Sequence, residues 1–327
     1  MTHEAQYILD LENIESELPN FECYFIFENI EVFKCKNSLI FKGISNTSES
    51  NTVLSSVEVA AKIRPKLIIA LDIISFIVGT PITTYDIVEH TYKELANNKL
   101  ETSKANFFKF KDSNVTDILN EIIKSLEKNS FLVPSLLDKW NKANFLLFSD
   151  DSSVLYADEA ILNYIHIFEL LSETVKKDYD SQIENSLEYL IKEFYNQTSF
   201  YTNDINSKIN ENKKATKKLL VGEFPAFKDK LKYFLNKYQL LDENTSFFID
   251  ELIKLRNSIA HGRVMHNMNI MEYPLTPFFN ISSTKRDAVN PLMFLTATCI
   301  SKYIGINLWH NEWLSIKKNL QPTNAQI

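Results

Sequence analysis

The scarcity of glycine constrains the fold of this chain more than any other feature of its sequence. Only 5 of the 327 residues are glycine. Glycine takes the positive φ angles of tight hairpin turns more readily than any other residue, so the sequence disfavours propellers and sandwiches made of many hairpins. Neither GxGxxG nor GxxxxGK[ST] occurs. The sequence therefore excludes the glycine-rich phosphate loops of Rossmann and P-loop nucleotide-binding proteins.

The charge balance argues against a chain that binds nucleic acid over its whole surface. The formal net charge is −7, whereas proteins that wrap polyanions are strongly basic. The exception is Ser207–Lys237, where nine lysines stand against three acidic residues. This segment is predicted to be either a solvated helix face or the surface by which RNA approaches. In the second case the candidate contacts are Lys213, Lys214, Lys217 and Lys218.

Cysteine usage and hydropathy predict a cytoplasmic protein. The three cysteines, Cys23, Cys35 and Cys299, show no CxxC spacing, and such low usage is typical of a reducing compartment. Residues Met1–Asp10 lack the basic start and apolar core of a signal peptide. The most apolar run, Leu67–Ile82, is short for a bilayer span and contains a carboxylate. We therefore expect it to be a buried helix, and we expect no membrane partner.

Two kinds of periodicity predict a mainly α protein with a smaller α+β part at its start. The β-branched and aromatic residues of Phe21–Ile44 are typical of strands. Val53–Val78 is helical and apolar, with an interruption expected at Pro65. From Val115 onward only helical patterns occur. The later helix candidates are 154–178, 181–196, 204–221, 225–239, 245–261 and 291–309.

A polar stretch divides the chain into two predicted domains. Ser149–Ser153 reads Ser-Asp-Asp-Ser-Ser, which is typical of a linker. Residues 1–150 are therefore predicted to form the α+β N-terminal domain, and residues 151–327 an all-α helical bundle. Nothing in the sequence identifies what the N-terminal domain does. We expect a regulatory or sensing role, with a ligand or a protein as its partner.

The residues that carry the most chemical information lie in one short segment. Leu255–Gly262 reads Leu-Arg-Asn-Ser-Ile-Ala-His-Gly, so Arg256 and His261 are separated by four residues. Arginine is rare here, at only four of 35 basic residues, so each one marks a place that needs a planar, permanently charged group. The pattern Arg-Asn-x-x-Ala-His near the end of a late helix resembles that of the HEPN superfamily, in particular its ApeA-like, abortive-infection-type members. The resemblance covers about Val154–Trp313.

The resemblance implies a HEPN-type endoribonuclease that cleaves RNA without a metal or cofactor, by attack of a 2′-hydroxyl on the adjacent phosphate. His261 would act as base or acid, because histidine titrates near neutral pH. Arg256 would hold the phosphate oxygens, and Asn257 would orient the phosphate or the histidine. Relatives often carry an acidic residue in the first bundle helix, so Glu169 could face the cleft and hold Arg256. The alternative is a polar pair with His166, three residues earlier on the same helix. Such proteins serve bacterial anti-phage defence or act as toxins.

Helical geometry links this activity to a homodimer. On an ideal helix Arg256 and His261 lie about 140° apart, so one chain does not easily direct both at one atom. A two-fold dimer through helix 245–261 would place two copies of each side chain around one cleft. Arg263, just past the pattern, is a further candidate contact with RNA. The alternative is a non-catalytic HEPN module that dimerises and binds a nucleotide or a protein.

Overall fold

The computed structural model describes residues 2–12, 18–46, 52–95, 105–148, 156–197, 210–213, 215–218, 226–260, 266–267, 270–271 and 285–318. Within these ranges the protein is mainly helical, with an antiparallel sheet in its N-terminal part. The predicted fold class, mainly α with a smaller α+β part, is confirmed at this level. Contacts divide the chain into two compact units. The first unit is Met1–Tyr164 with Ile281–Ile316, and the second is Ile165–Asn280 with Lys317–Ile327.

This division differs from the predicted one at 1–150 and 151–327. The predicted linker, Ser149–Ser153, lies wholly outside the described residues. The segment that begins at Ile281 returns to the first unit because its apolar side chains, including Leu292, Leu295 and Ile300, are buried there. The last long helix of the predicted bundle therefore belongs to the core of the sheet-containing unit.

The described part of the first unit contains seven strands in one antiparallel sheet. They are β1 (Thr2–Asp10), β2 (Phe21–Phe27), β3 (Ile30–Cys35), β4 (Ser38–Asn46), β5 (Ile87–Leu95), β6 (Phe107–Phe110) and β7 (Ser113–Asn114). Their spatial order is β5-β1-β4-β3-β2-β6-β7. The predicted strands of Phe21–Ile44 are confirmed as β2, β3 and β4. Alternate residues of β2, from Phe21 to Phe27, are buried, as the period of a strand requires.

The hairpin turns of this sheet are made without glycine. Glu28 and Asn29 join β2 to β3 with φ angles of 45° and 66°, and Lys111 and Asp112 join β6 to β7 with 47° and 63°. Positive φ at two consecutive turn residues matches the right-handed twist of the flanking strands. Asparagine and aspartate tolerate this region better than most side chains. Tight hairpin turns in this sheet therefore do not depend on glycine.

The helices of the described residues are α1 (Thr52–Val78), α2 (Thr116–Lys128), α3 (Leu132–Phe148), α4 (Ala157–Thr174), α5 (Lys176–Gln197), α6 (Phe227–Lys237), α7 (Glu243–Ala260), α8 (Lys285–Ile304) and α9 (His310–Lys317). A two-stranded ribbon, β8 (His266–Asn267) with β9 (Ile270–Met271), lies between the helix candidates 245–261 and 291–309, in a segment for which no strand was predicted. Helix α5 runs through residues 181–196 and α8 begins six residues before Pro291, so both helices start earlier than expected.

Helix α1 lies against β1 to β4 and forms the core of the first unit with α3. Its apolar C-terminal half is buried, as predicted for Leu67–Ile82. The helix continues through Pro65, so the predicted interruption was wrong. It ends at Gly79, which has φ +80°. No helix among the described residues has both the length and the hydropathy to cross a lipid bilayer.

The second unit consists mainly of helices around a small apolar core. Helix α6 packs on α5 and α7. Buried side chains come from the part of α4 that follows Tyr164, from α6 and from α7; they include Phe168, Leu171, Phe234, Leu252 and Leu255. Residues 210–213 and 215–218 are also helical. This core fixes the positions of α4 and α7, on which the candidate site is built.

Candidate functional site

The helical period places Phe248, Leu252, Leu255 and Ile259 along one side of α7, which is predicted to face the core. The first three are at most 3% exposed, whereas Ile259, in the last turn, is partly exposed. Arg256 is partly exposed and Asn257 is exposed. The burial pattern therefore brings Arg256 to the border between core and solvent in the last turn of the helix.

The guanidinium of Arg256 is held by two partners. Its Nη2 donates to Oε1 of Glu169 on α4 over 3.0 Å, and its Nη1 donates to Oδ1 of Asn257 over 3.3 Å. The contact between Glu169 and Arg256 that the resemblance implied is thus present. A guanidinium carries five N–H donors in a fixed fork. Among the described residues, Glu169 and Asn257 accept from two of these five donors. Because 41% of the Arg256 side chain is exposed, an anion in solution can reach it.

Glu169 lies between His166 and Arg256. Its Oε2 is 3.9 Å from Nε2 of His166, one turn earlier on α4, while its Oε1 binds Arg256. The distance to His166 is too long for a hydrogen bond. All three side chains are between one third and about one half exposed. The site is therefore a solvent-facing cluster with Arg256 at its centre.

Three of the predicted site residues lie outside the described residues. They are His261, Arg263 and Lys214. Described helix ends at Ala260, so His261 follows directly after the part of α7 that carries Arg256 and Asn257. The structure thus brings together Arg256, Asn257 and Glu169. The role of His261 stays a prediction from the sequence pattern.

The lysines predicted as an RNA-approach surface have intramolecular partners instead. Lys213 Nζ lies 3.3 Å from Glu188, and Lys217 Nζ lies 2.9 Å from Glu184. The bond to Lys217 lowers the pKa of the Glu184 carboxyl below its ordinary value. The neighbouring Lys218 is exposed. Since carboxylates of α5 already neutralise two of the four predicted lysines, this surface is less positive than the sequence suggested.

Most of the remaining lysines of Ser207–Lys237 are paired in the same way. Lys230 binds Glu173, and Lys237 Nζ lies 2.7 Å from Asp178. Lys228 and Lys232, both on α6, reach Oδ1 of Asp250 on α7 at 3.0 and 2.6 Å. These lysines thus join α6 to α4, α5 and α7. The cluster of basic residues that suggested a polyanion surface is mainly an internal network of ion pairs.

The spacing of charges in the sequence predicts this pairing. Acidic residues recur every fourth position on α5, at Asp180, Glu184 and Glu188, and lysines recur at the same interval at Lys213 and Lys217. On helices such spacing places each set along one face. Two faces of opposite charge predict that the helical residues 210–213 and 215–218 lie along α5. Lys217 indeed contacts both Asp180 and Glu184.

Comparison with known proteins does not assign the chain to a family. No family model, curated protein or solved structure matches it. Any functional conclusion therefore depends on the residue pattern that ends α7 and on the contacts around Arg256.

Proposed function

We propose that the second unit is a HEPN-type endoribonuclease centre in which Arg256 and His261 cleave RNA without a metal ion. The observation that carries the proposal is the fixed, solvent-facing guanidinium of Arg256. Glu169 and Asn257 hold two of its donors at 3.0 and 3.3 Å. The proposal combines this geometry with the resemblance of Arg256-Asn257-x-x-Ala260-His261 to the HEPN pattern.

The proposed reaction is an internal phosphoryl transfer. The 2′-oxygen of a ribose attacks the adjacent phosphorus, the 2′-hydroxyl proton passes to a histidine, and the bond from phosphorus to the 5′-oxygen breaks. The 5′-oxygen takes up a proton, so the products are a 2′,3′-cyclic phosphate and a 5′-hydroxyl. Histidine suits both proton transfers because its ordinary pKa lies near neutral pH. Arg256 would bind the phosphate oxygens as their negative charge increases.

Glu169 has a positioning role in this scheme. A carboxylate that binds one edge of a guanidinium fixes the plane of the other N–H groups. In the absence of RNA it also balances the charge of Arg256. A phosphate that approaches the exposed edge then meets donors that are already oriented, which lowers the cost of ordering them. Asn257, the next residue on α7, accepts a second hydrogen bond from the Arg256 guanidinium.

The site is proposed to be completed by a second copy of the chain. Arg256 and His261 lie about 140° apart around the axis of an ideal helix, so a single α7 directs them to different places. Ile253 and Arg256 lie three residues apart on one side of α7, and both are partly exposed. A homodimer that pairs the two α7 helices through this side would bring arginine and histidine of both chains to one cleft.

We propose that only a few basic side chains of the second unit contact RNA. Because Lys213 and Lys217 are bound to carboxylates of α5, they are not counted among the RNA contacts. Arg256 remains, with Lys214, Lys218 and Arg263 as further candidates from the sequence. A basic surface this small suits an enzyme that is switched on by a trigger, in line with a role in anti-phage defence or as a toxin.

The second candidate function is a non-catalytic HEPN module that dimerises and binds a nucleotide or a protein. The observation that favours it is the ion pair itself, because Arg256 already has a partner within its own chain. An arginine that serves only to join α4 and α7 would make the same contact.

RNA cleavage in the presence of EDTA distinguishes the two functions. The full chain is incubated with a mixed-sequence RNA, beside the variants Arg256→Ala and His261→Ala. Arg64→Ala and His90→Ala are the matched controls, because both residues are exposed in the first unit. Cleavage that survives EDTA, persists in both controls and is lost in both site variants supports the ribonuclease. Intact RNA with the wild-type dimer, or equal cleavage by all five proteins, contradicts it.

A further inference from the structure

The sheet of the first unit ends in a long strand that has a neighbouring strand on one side only. Among the described residues, β5 (Ile87–Leu95) pairs with β1, and it stands first in the spatial order of the sheet. The opposite edge is β7, which has two residues. Strand β5 has nine residues and contains neither proline nor glycine. An edge strand of this length presents N–H and C=O groups that can pair with a further strand.

Both faces of β5 are accessible to solvent. Six of its nine residues are exposed, and the other three are partly exposed. Tyr7 of β1 is 5% exposed, whereas His90, which lies directly opposite Tyr7 on the same face, is exposed. The layer that buries this face of β1 therefore does not extend over β5. A strand placed beside β5 would meet no side chain of the described sheet.

The sequence of β5 is complementary to itself in charge when two copies run antiparallel. A two-fold axis perpendicular to the sheet keeps every side chain on its own face, so one residue must lie opposite its own copy. If that residue is Thr91, the middle residue of the strand, Glu89 lies opposite Lys93 on both sides of the axis. Opposite charges at directly facing positions stabilise a pair of strands. Both side chains are exposed.

Neighbouring registers lack this match. Moving the axis by one residue in either direction leaves no acidic residue opposite a lysine within β5. With the axis at His90, Glu94 would also lie opposite Asp86, which places two like charges together. The pairing of β5 with β1 is irregular only before Glu89, so the residues nearest to an axis at Thr91 lie in regular strand.

The aromatic side chains of β5 favour the same register. The ring centroids of His90 and Tyr92 are 5.7 Å apart, and the Tyr92 hydroxyl lies 3.1 Å from that of Tyr7. With the axis at Thr91, His90 of each copy would lie opposite Tyr92 of the other. Two clusters of three rings would then meet across the axis, and cross-strand aromatic pairs are favourable.

The intramolecular partner of Lys93 leaves room for a second one. Its Nζ lies 2.8 Å from Oε1 of Glu4 on β1, and 64% of the lysine side chain is exposed. An ammonium has three donors. Glu4 approaches from the β1 side, whereas Glu89 of a second copy would approach from the open edge. The lysine can therefore join two carboxylates in one row across the strands.

We propose that β5 is a dimerisation strand, which pairs antiparallel with β5 of a second copy of this chain about a two-fold axis at Thr91. The two sheets then form one continuous sheet. This surface lies in the first unit and shares no residue with α7, through which the proposed ribonuclease centre is completed. The two interfaces can therefore be tested separately, and RNA cleavage is not a readout of this one.

Disulfide cross-linking tests the position of the axis. The full chain carries Thr91→Cys in a Cys35→Ser background, which removes the exposed native cysteine. Directly opposite residues have Cα atoms about 4.5–5.5 Å apart, a distance that a disulfide can span. Glu94→Cys in the same background is the matched control, because its two copies would be about 20 Å apart. Mild oxidation and non-reducing electrophoresis measure the yield of covalent dimer.

We expect Thr91→Cys to give covalent dimers and Glu94→Cys to give at least about tenfold less. No dimer from Thr91→Cys would overturn the proposal and would leave this edge to an extended segment of another protein. Equal yields from the two variants would overturn it as well, because the cross-link would then arise from random encounters.

Charge reversal tests the register in the Thr91→Cys protein. Glu89→Lys and Lys93→Glu should each raise the concentration for half-maximal cross-linking at least about tenfold, since like charges then face each other twice. An equal mixture of the two variants should restore cross-linking, because each copy then faces opposite charges. Glu94→Lys, the control on the same strand, should change the concentration by less than about twofold. Thermal unfolding checks that each variant folds.

Unchanged cross-linking in Glu89→Lys, or a mixture that cross-links no better than its components, would overturn the proposal. Should Lys93→Glu not fold because its carboxylate meets Glu4, Glu89→Lys and the comparison of Thr91→Cys with Glu94→Cys decide the outcome.

Discussion

Glu169 Oε1 lies 3.0 Å from Arg256 Nη2 and joins α4 to α7 across 87 positions of the chain. Both side chains are partly exposed, at 33% and 41%. Ion pairs of this kind contribute little to stability, typically less than about 1 kcal/mol. The contact therefore matters more for the orientation of the guanidinium than for the folding of the second unit.

The first prediction concerns the replacement Glu169→Gln, which keeps the shape of the side chain and removes its charge. The free energy of unfolding should change by no more than about 1 kcal/mol. RNA cleavage should fall by about tenfold, chiefly in kcat, because Arg256 is no longer held in plane at the transition state. Urea unfolding and single-turnover cleavage measure the two effects, and Glu169→Asp should restore part of the rate. A fall in stability of several kcal/mol, with cleavage unchanged, would assign the pair a purely structural role.

The second prediction concerns Lys217, which lies 2.9 Å from Glu184 and 3.7 Å from Asp180. In Lys217→Ala, the helical residues 215–218 should exchange their amide hydrogens faster, because a contact that holds them to α5 is lost. RNA affinity should stay within about twofold of the wild type, since this lysine is already neutralised. Hydrogen exchange followed by mass spectrometry reads the first effect, and fluorescence anisotropy reads the second. The control is Lys218→Ala, and a large loss of RNA affinity in Lys217→Ala alone would restore this lysine as an RNA contact.

The third prediction is a pH dependence that arises from Asp72. Its pKa is raised in the folded protein, so above the ordinary aspartate pKa of about 3.9 the folded state holds a proton that the unfolded state has lost. Its contribution to stability is therefore largest at low pH and declines as pH rises toward the folded-state pKa. Asp72→Asn should remove this decline, which amounts to about 1.4 kcal/mol per pH unit. Urea unfolding of the wild type and Asp72→Asn between pH 4 and 7 should give free energies of unfolding whose difference changes with pH. A difference that stays constant over this range would contradict the prediction.

The fourth prediction compares two glycines with positive φ. Gly79 has φ +80° and Gly305 has φ +92°. A Cβ on Gly79 would lie 2.6 Å from the indole ring of Trp309, whereas a Cβ on Gly305 would meet nothing within 4 Å. Each alanine variant carries a backbone penalty of about 1–3 kcal/mol, and Gly79→Ala adds a steric clash inside the core. Thermal unfolding should therefore show a clearly larger loss for Gly79→Ala. Equal losses of stability in the two variants would mean that Trp309 moves away from the new Cβ without destabilising the fold.

The sequence was sufficient to predict the elements with strong local signals. The aromatic and β-branched residues of Phe21–Ile44 gave three adjacent strands, and the apolar run at Leu67–Ile82 gave a buried helix. The core stripe of α7, with Phe248, Leu252 and Leu255, follows directly from its helical period. In each case one face of the element is almost wholly apolar, so a short window of sequence contains the information.

Other elements depend on distant partners. The strand β1 contains alanine and glutamine, which are weak strand formers, and it is held by pairing with β4 on one side and β5 on the other. Helix α1 continues through Pro65 because its buried residues on both sides hold it against the sheet and α3. The hairpin at Glu28 and Asn29 takes positive φ without glycine because the paired strands impose it. Such effects belong to tertiary contacts that no short window of sequence contains.

The candidate site was predicted in part for the same reason. Arg256 and Asn257 are neighbours in the sequence, and Glu169 follows from its expected place on the first bundle helix. The pairing of Lys213 and Lys217 with α5 required two helices to be compared, and the lysines alone suggested a free basic surface. A cavity at Asp72 is assembled from α1 and α3, and the sequence predicted no cavity there.

The chemical nature of the cleaved RNA ends tests the central claim most directly. The full chain is incubated in EDTA with an RNA labelled at its 5′ end, beside Arg256→Ala, and the new 3′ ends are identified by mass spectrometry. The account predicts 2′,3′-cyclic phosphate ends from the wild type and at least about a hundredfold slower cleavage by Arg256→Ala. No cleavage by the wild type, products with any other 3′ end, or an equal rate in the variant would contradict it.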